Sequence, residues 1–212
     1  AIGRMMWDYY NKGFAYGSEN LNYMVSLIDE YTDSVKHKKT FREKMEDIKE
    51  DILTYDFKLS EAALSAKMVN HLGDTLTLQD IFNRSNKRVK VVDFWASWCA
   101  PCVKQIKESK PFKDRLSVEN NVEWIYLSID TDHKKWLERS KELSNHLHFR
   151  NSYILLKGKK SSLAKELKVH QIPRYVVFDK QNRVMVNSAP SPSNEIVFER
   201  IIDTTQMSTP IQ

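Results

Sequence analysis

Two cysteines are all that the 212 residues contain, and they stand three apart, as Cys99 and Cys102. A disulfide framework would spread several pairs along the chain, so a cystine-stapled scaffold is excluded. A zinc site would need two further ligands. The six histidines do not obviously supply them: His146 and His148, the nearest to a pair, lie two apart in a polar run. No metal site is expected. Long apolar runs are missing too. None approaches the roughly 18–20 residues that cross a bilayer, so no membrane-spanning segment is expected. Ala1-Ile2-Gly3-Arg4, leading into Met6-Trp7-Asp8-Tyr9-Tyr10, lacks a leader's pattern. The chain opens at Ala1 and not at a methionine, so that absence gives no address.

Concentrated positive charge is also lacking. The net charge of +5 is uneven, with 9 Lys/Arg against 12 Asp/Glu in residues 1–66 and 24 against 16 beyond. Yet the basic residues are scattered (Lys87, Arg88, Lys90; Lys134, Lys135; Lys157, Lys159, Lys160) and form no nucleic-acid-reading motif. They read as solvated faces, and nucleic acid is not an expected partner. What is plentiful is core material: 41% of residues are hydrophobic, enough to bury a sizeable interior.

Residues 1–59 read as a helical N-terminal segment. Leu21, Met24, Val25, Ile28 and Val35 recur at helical steps. Thr40-Phe41-Arg42-Glu43 then has the form of a capping box. Phe41, Met45, Ile48, Ile52 and Tyr55 make one apolar stripe, which must pack on a neighbour. From residue 60 to 212 the texture changes to alternating strands and helices, an α/β layout. A strand turns at Gly73-Asp74. Val89 to Trp95 is a nearly continuous apolar run, as expected of a strand buried on both faces. A helix follows from about Pro101, then a buried strand from Val122 to Ile129. Helical stretches are expected at 132–147 and 161–168, a hairpin at Arg174–Asp179 and Arg183–Asn187, and a closing helix from Asn194 to Asp203.

The cysteines sit where the buried strand gives way to the helix. A reactive thiol must be a thiolate, and a helix N-terminus stabilises that charge. Pro101 suits the first helical turn, where no backbone donor is lost. Cys99 is therefore expected to be the exposed nucleophile. Cys102, one turn further in, is expected to be shielded and to resolve the mixed disulfide. So short a loop is a poor structural staple, which favours chemistry over architecture. Asp93 stands inside the apolar run, six residues before Cys99. Buried without a partner, its carboxyl should hold its proton unusually tightly and could relay one to and from Cys102.

Val-Asp-Phe-Trp-Ala-Ser-Trp-Cys-Ala-Pro-Cys, residues 92–102, resembles the active-site strand and helix start of the thioredoxin superfamily. Ile172-Pro173, followed by Tyr175-Val176-Val177-Phe178-Asp179, resembles that family's cis-proline loop. The separation of 43 positions between Asp130 and Pro173, and Leu76-Thr77-Leu78 before the first long strand, are similar to the TlpA/ResA-like branch. The likeness covers roughly residues 66–205. It implies a thioredoxin-like sheet flanked by helices, acting as a thiol–disulfide oxidoreductase of the cell envelope or periplasm. Cys99, Cys102 and Asp93 would be catalytic, with Trp98, Ile172 and Pro173 as the substrate platform. No metal or organic cofactor would be needed. The partners would be proteins with disulfides or thiols, and a redox partner donating electrons. Three departures stand out. Gln105 replaces a glutamate common in that branch, Lys107 replaces a helix proline, and Arg174 stands where a small hydroxyl residue is frequent. The thioredoxin-type lysine opposite Asp93 is absent, its position by register being about Tyr126. Narrower or rival readings are a reductant dedicated to apocytochrome c thiols and a redox-inactive scaffold that keeps only the fold. A peroxiredoxin-like peroxidase is disfavoured, because its nucleophile needs a hydroxyl and an arginine in a Pro-x-x-x-Thr/Ser-x-x-Cys setting, which Phe94 to Trp98 does not provide.

Overall fold

The computed structural model describes residues 58–207 and a few isolated positions before them. The N-terminal helical segments, with the stripe from Phe41 to Tyr55, lie outside the described residues. After a short helix α1 (Glu61–Leu64), strands β1 (Lys67–Val69) and β2 (Thr75–Thr77) form a hairpin. Gly73 turns it at φ +90°, a conformation a Cβ would strain. Thr77 and Asp80 cap each other's backbone at the start of α2 (Leu78–Arg84).

Strand β3 (Val89–Trp95) has every residue buried, Asp93 and Lys90 included. That explains its apolar run: it is the centre of the sheet, covered on both faces. It leads to α3 (Ala100–Glu108), α4 (Lys110–Glu119) and β4 (Val122–Ser128). Then come α5 (His133–Glu142), β5 (Ser152–Leu155) and α6 (Ser162–Glu166). Strands β6 (Arg174–Phe178) and β7 (Val184–Ala189) precede α7 (Glu195–Met207). The sheet order is β2-β1-β5-β4-β3-β6-β7, with β3, β4 and β5 parallel and the other pairings antiparallel. This mixed sheet flanked by helices is a thioredoxin-like α/β fold.

Two features depart from expectation. The helical run after Pro101 is broken at Ser109, whose hydroxyl donates back to the Gln105 carbonyl (2.6 Å) while Pro111 withholds a backbone donor. The second piece, α4, turns Phe112, Lys113 and Leu116 inward. The other is β5, a strand of four residues too short for its alternation to be read from the sequence. It lies between β1 and β4, and only two of its residues pair with β1.

Aromatic rings fill the layer between sheet and helices. Trp124 stacks on Phe198 at 5.6 Å, and Phe112 and Tyr175 meet the same ring edge-on. Arg115 of α4 grips Glu199 of α7 through two hydrogen bonds of 2.6 and 3.1 Å, joining the helices over that layer.

Candidate active site

Strand register gathers the site at one end of the sheet. β3 runs parallel to β4, pairing Trp95 with Ser128, and antiparallel to β6, pairing Phe94 with Arg174. The loop after β3, the loop after β4 and the segment before β6 therefore share an edge. They carry Cys99, Asp130 and Pro173 respectively. The Ile172–Pro173 peptide bond is cis, as the resemblance implied, and both residues are half-buried.

Cys99 is the N-cap of α3, its sulfur accepting from the Cys102 backbone N–H (3.3 Å), and Pro101 occupies the first turn. The two cysteines are joined as a disulfide. In this oxidised form neither thiol is open: Cys99 is 4% exposed and Cys102 1%. The expectation of an exposed Cys99 is thus corrected for the disulfide state, although Cys99 remains the slightly more exposed of the two residues. Trp98 beside it is 65% exposed, a large indole held out toward solvent.

Asp93 is fully buried, but it is not alone. Lys113 Nζ lies 2.9 Å from its Oδ2, with both side chains 1% exposed. The expectation of an unpaired carboxylate is corrected here. Register puts Tyr126 opposite Asp93 on β4, as read from the sequence, but the cation comes from α4, twenty residues downstream in the chain. The ammonium also sits over the rings of Trp124, Tyr126 and Tyr175, at 4.7, 4.8 and 5.7 Å from their centroids. Asp93 Oδ1 and the Tyr126 hydroxyl have no hydrogen-bond partner among the described residues. Burial raises the Asp93 carboxyl above the usual carboxylate range, and the Lys113 charge only partly opposes this. Burial likewise pushes the Tyr126 and Tyr175 phenols up, with the Asp93 charge adding to it.

Gln105 ties α3 to the rest. Its Oε1 accepts from Tyr175 (3.4 Å), from Ser193 (3.5 Å) and from Ser191. An amide in that position braces the helix and cannot titrate. Asp130 is a further residue that the sequence did not single out. It accepts from the Ser97 backbone N–H and hydroxyl (both 2.7 Å) and from the Ser128 hydroxyl (2.6 Å), fixing the loop that carries Trp98 and Cys99. Arg174, next to Pro173, turns inward and donates to the Asn187 and Leu167 carbonyls (2.7 and 3.3 Å). It braces the cis-proline loop. Burial lowers its guanidinium to about 10.

A helix-capping dithiol, a buried acid on the strand that leads to it and a cis-proline before the neighbouring strand lie within this thioredoxin-like fold. Residues 86–184 match a protein family described as thioredoxin-like. Thioredoxin of Bos taurus is 36% identical over 66 residues, which are 31% of this chain and 57% of that protein. The match thus spans just over half of that relative's length. Among solved structures, a thiol-disulfide oxidoreductase from Bacteroides fragilis superposes with a TM-score of 0.51 at 17% identity. It covers 66% of this chain and 99% of its own. A thioredoxin-like protein from Porphyromonas gingivalis gives 0.52 at 16% identity, over 73% and 99%. At such identities the superpositions establish the fold. Among the described residues no helix is long and apolar enough to cross a membrane.

Proposed function

We propose that the chain is a thiol–disulfide oxidoreductase that reduces protein disulfides. The observation that carries this reading is the Cys99–Cys102 dithiol at a helix N-terminus, with the Asp93–Lys113 pair buried in the strand and helix behind it. In the reduced protein the Cys99 thiolate attacks a substrate disulfide, forming a mixed disulfide and expelling one substrate sulfur as a thiolate, which takes up a proton from water. Cys102 gives its proton to Asp93, and its thiolate attacks the Cys99 sulfur. The second substrate sulfur leaves as a thiolate and takes up a proton, and the Cys99–Cys102 disulfide closes. Lys113 holds the Asp93 carboxylate that accepts this proton. Trp98, Ile172 and Pro173 form the apolar platform on which the substrate lies.

The direction follows from what lies between the cysteines. Ala100-Pro101 offers neither charge nor a side-chain donor to hold a thiolate, so the disulfide is the relatively favoured state. The couple should sit nearer −270 mV, as in thioredoxin, than about −120 mV, as in DsbA, and a value above roughly −180 mV would make the protein an oxidant. A redox partner must then re-reduce it. The TlpA/ResA-like resemblance supports a cell-envelope or periplasmic setting. Residues 60–212 are the catalytic unit in this reading, with 1–59 as a helical appendage. Insulin reduction by the dithiol form tests it. Turnover that disappears in Cys99→Ser is expected, whereas an inert wild type would favour a scaffold that keeps only the fold.

A further inference from the structure

Next to Trp98 opens a cavity of about 710 Å³ that the dithiol chemistry does not use. Its floor is apolar: Ile129 follows β4, and Ile154 and Leu155 belong to β5. Leu156, 40% exposed, and Trp98 also line it. Its rim is basic, with Lys157, Lys159 and Lys160 all exposed. The one carboxylate in its lining, Asp130, is buried and already committed to Ser97 and Ser128. The rim is held in place by its backbone. Lys157 has φ +67° and Gly158 φ +48°, and a Cβ at Gly158 would stand 2.9 Å from the Ile129 carbonyl oxygen. A non-glycine residue kept in the left-handed region is a local cost that the surrounding structure must impose. Lys159 Nζ donates to the His170 carbonyl (2.7 Å), two residues before the cis-proline pair. The cavity is therefore fastened to both arms of the site, Trp98 on one side and the 170–173 loop on the other.

We infer that this cavity is a specificity pocket for the polypeptide substrate, which takes an apolar side chain flanked by acidic residues on one side of the reacting cysteine. The inference rests on the oxidoreductase reading and names which protein segments that site prefers. The apolar floor supplies the burial, and the three ammonium groups select the sign of the flanking charge. A small acidic thiol would satisfy the lysines but leave most of the floor uncovered, which is why a polypeptide segment fits better.

The test separates docking from chemistry. Short peptides with serine in place of cysteine, bearing Leu-Asp-Glu or Leu-Lys-Lys beside it, are titrated into the oxidised full-length protein by calorimetry. The acidic peptide should bind about threefold to tenfold more tightly at low salt, the range expected for two or three exposed charge pairs. The preference should shrink with added salt and reverse in Lys157→Glu/Lys160→Glu. Both lysines are exposed, so this variant should unfold at the wild-type temperature and reduce the neutral disulfide of mercaptoethanol at the wild-type rate. Equal affinity for both peptides would overturn the inference. So would oxidised glutathione displacing the acidic peptide at equal concentration, since the occupant would then be a small thiol. Loss of mercaptoethanol disulfide reduction in the lysine variant would also overturn it, by placing those lysines in the dithiol chemistry. If the acidic peptide binds preferentially but the reduced wild type fails to reduce insulin, the oxidoreductase reading fails and the pocket stands.

Discussion

Two buried aspartates serve the same sheet end in opposite ways. Asp130 is saturated: three donors from Ser97 and Ser128 surround its two oxygens, and both partners are local to the active-site loop. Asp93 has one partner, Lys113, and one oxygen that nothing among the described residues satisfies. A carboxylate held by several hydrogen bonds is a fixed acceptor, useful for holding a loop. A carboxylate with an unfilled oxygen and a single buried counter-charge can change protonation state. Burial alone therefore does not mark a proton carrier. The number and kind of donors around the carboxylate separate a brace from an acid.

The sharpest way to break this contrast is to remove the lysine. Lys113→Met strands the Asp93 carboxyl in the core, and losing one partner of a buried pair costs about 3–5 kcal/mol. Urea unfolding at neutral pH should show a loss of that size, and the double variant Asp93→Asn/Lys113→Met should recover most of it. If the single variant is as stable as wild type, Lys113 is not the counter-charge.

Asp93→Asn comes next, with its effect on rate. Insulin reduction at neutral pH should fall about a hundredfold, a typical loss for a positioned acid–base group, and the remaining rate should lose the pH dependence that Asp93 imposes. Asp130→Ala should do the reverse. Freeing the Ser97 backbone N–H and two hydroxyls should cost about 2 kcal/mol of stability, while the pH profile of exchange keeps its wild-type shape. A pH profile altered in Asp130→Ala and unaltered in Asp93→Asn would exchange the two roles.

Much of this end of the molecule was legible in the chain. The run from Val89 to Trp95 announced a central strand, because only a strand covered on both faces is apolar without alternation. Pro101 after a thiol at a strand-to-helix junction announced the capped dithiol, and the resemblance of Ile172-Pro173 to a cis-proline loop implied the cis bond. Lys113 was not legible. In sequence it is one of many lysines on a polar helix, and only the break at Ser109 and the packing of α4 on β4 bring it to Asp93. Asp130 was hidden for a similar reason, since its donors are set by the pairing of Trp95 with Ser128. Strand β5 escaped because four residues between a turn and a lysine-rich loop give too short a period to read. What local pattern specifies could be read; what depends on two distant elements meeting could not.

The finest test concerns stability against pH, where the two halves of the buried pair should prove unequal. Burial raises the Asp93 carboxyl in the folded protein above its unfolded value even with Lys113 beside it. The folded state then binds more protons than the unfolded state between those two values. Stability from this group is therefore full below the unfolded value and declines as pH rises toward the folded one. Asp93→Asn cannot lose that proton, and its Lys113 still faces the rings of Trp124, Tyr126 and Tyr175. The asparagine variant should match wild type in acid and become the more stable of the two as pH rises. The difference should grow by no more than about 1.4 kcal/mol per pH unit, the limit for one proton. Asp80 and Glu199 shift the other way, lowered by Thr77 and Arg115, so their stabilisation is lost as pH falls. Because both proteins share those groups, the difference between two denaturation series isolates Asp93. A difference that shrinks with rising pH would mean that Lys113 overcomes burial and holds Asp93 below the ordinary range. The carboxylate would then be a fixed counter-ion to Lys113, and some other group would have to take the proton from Cys102.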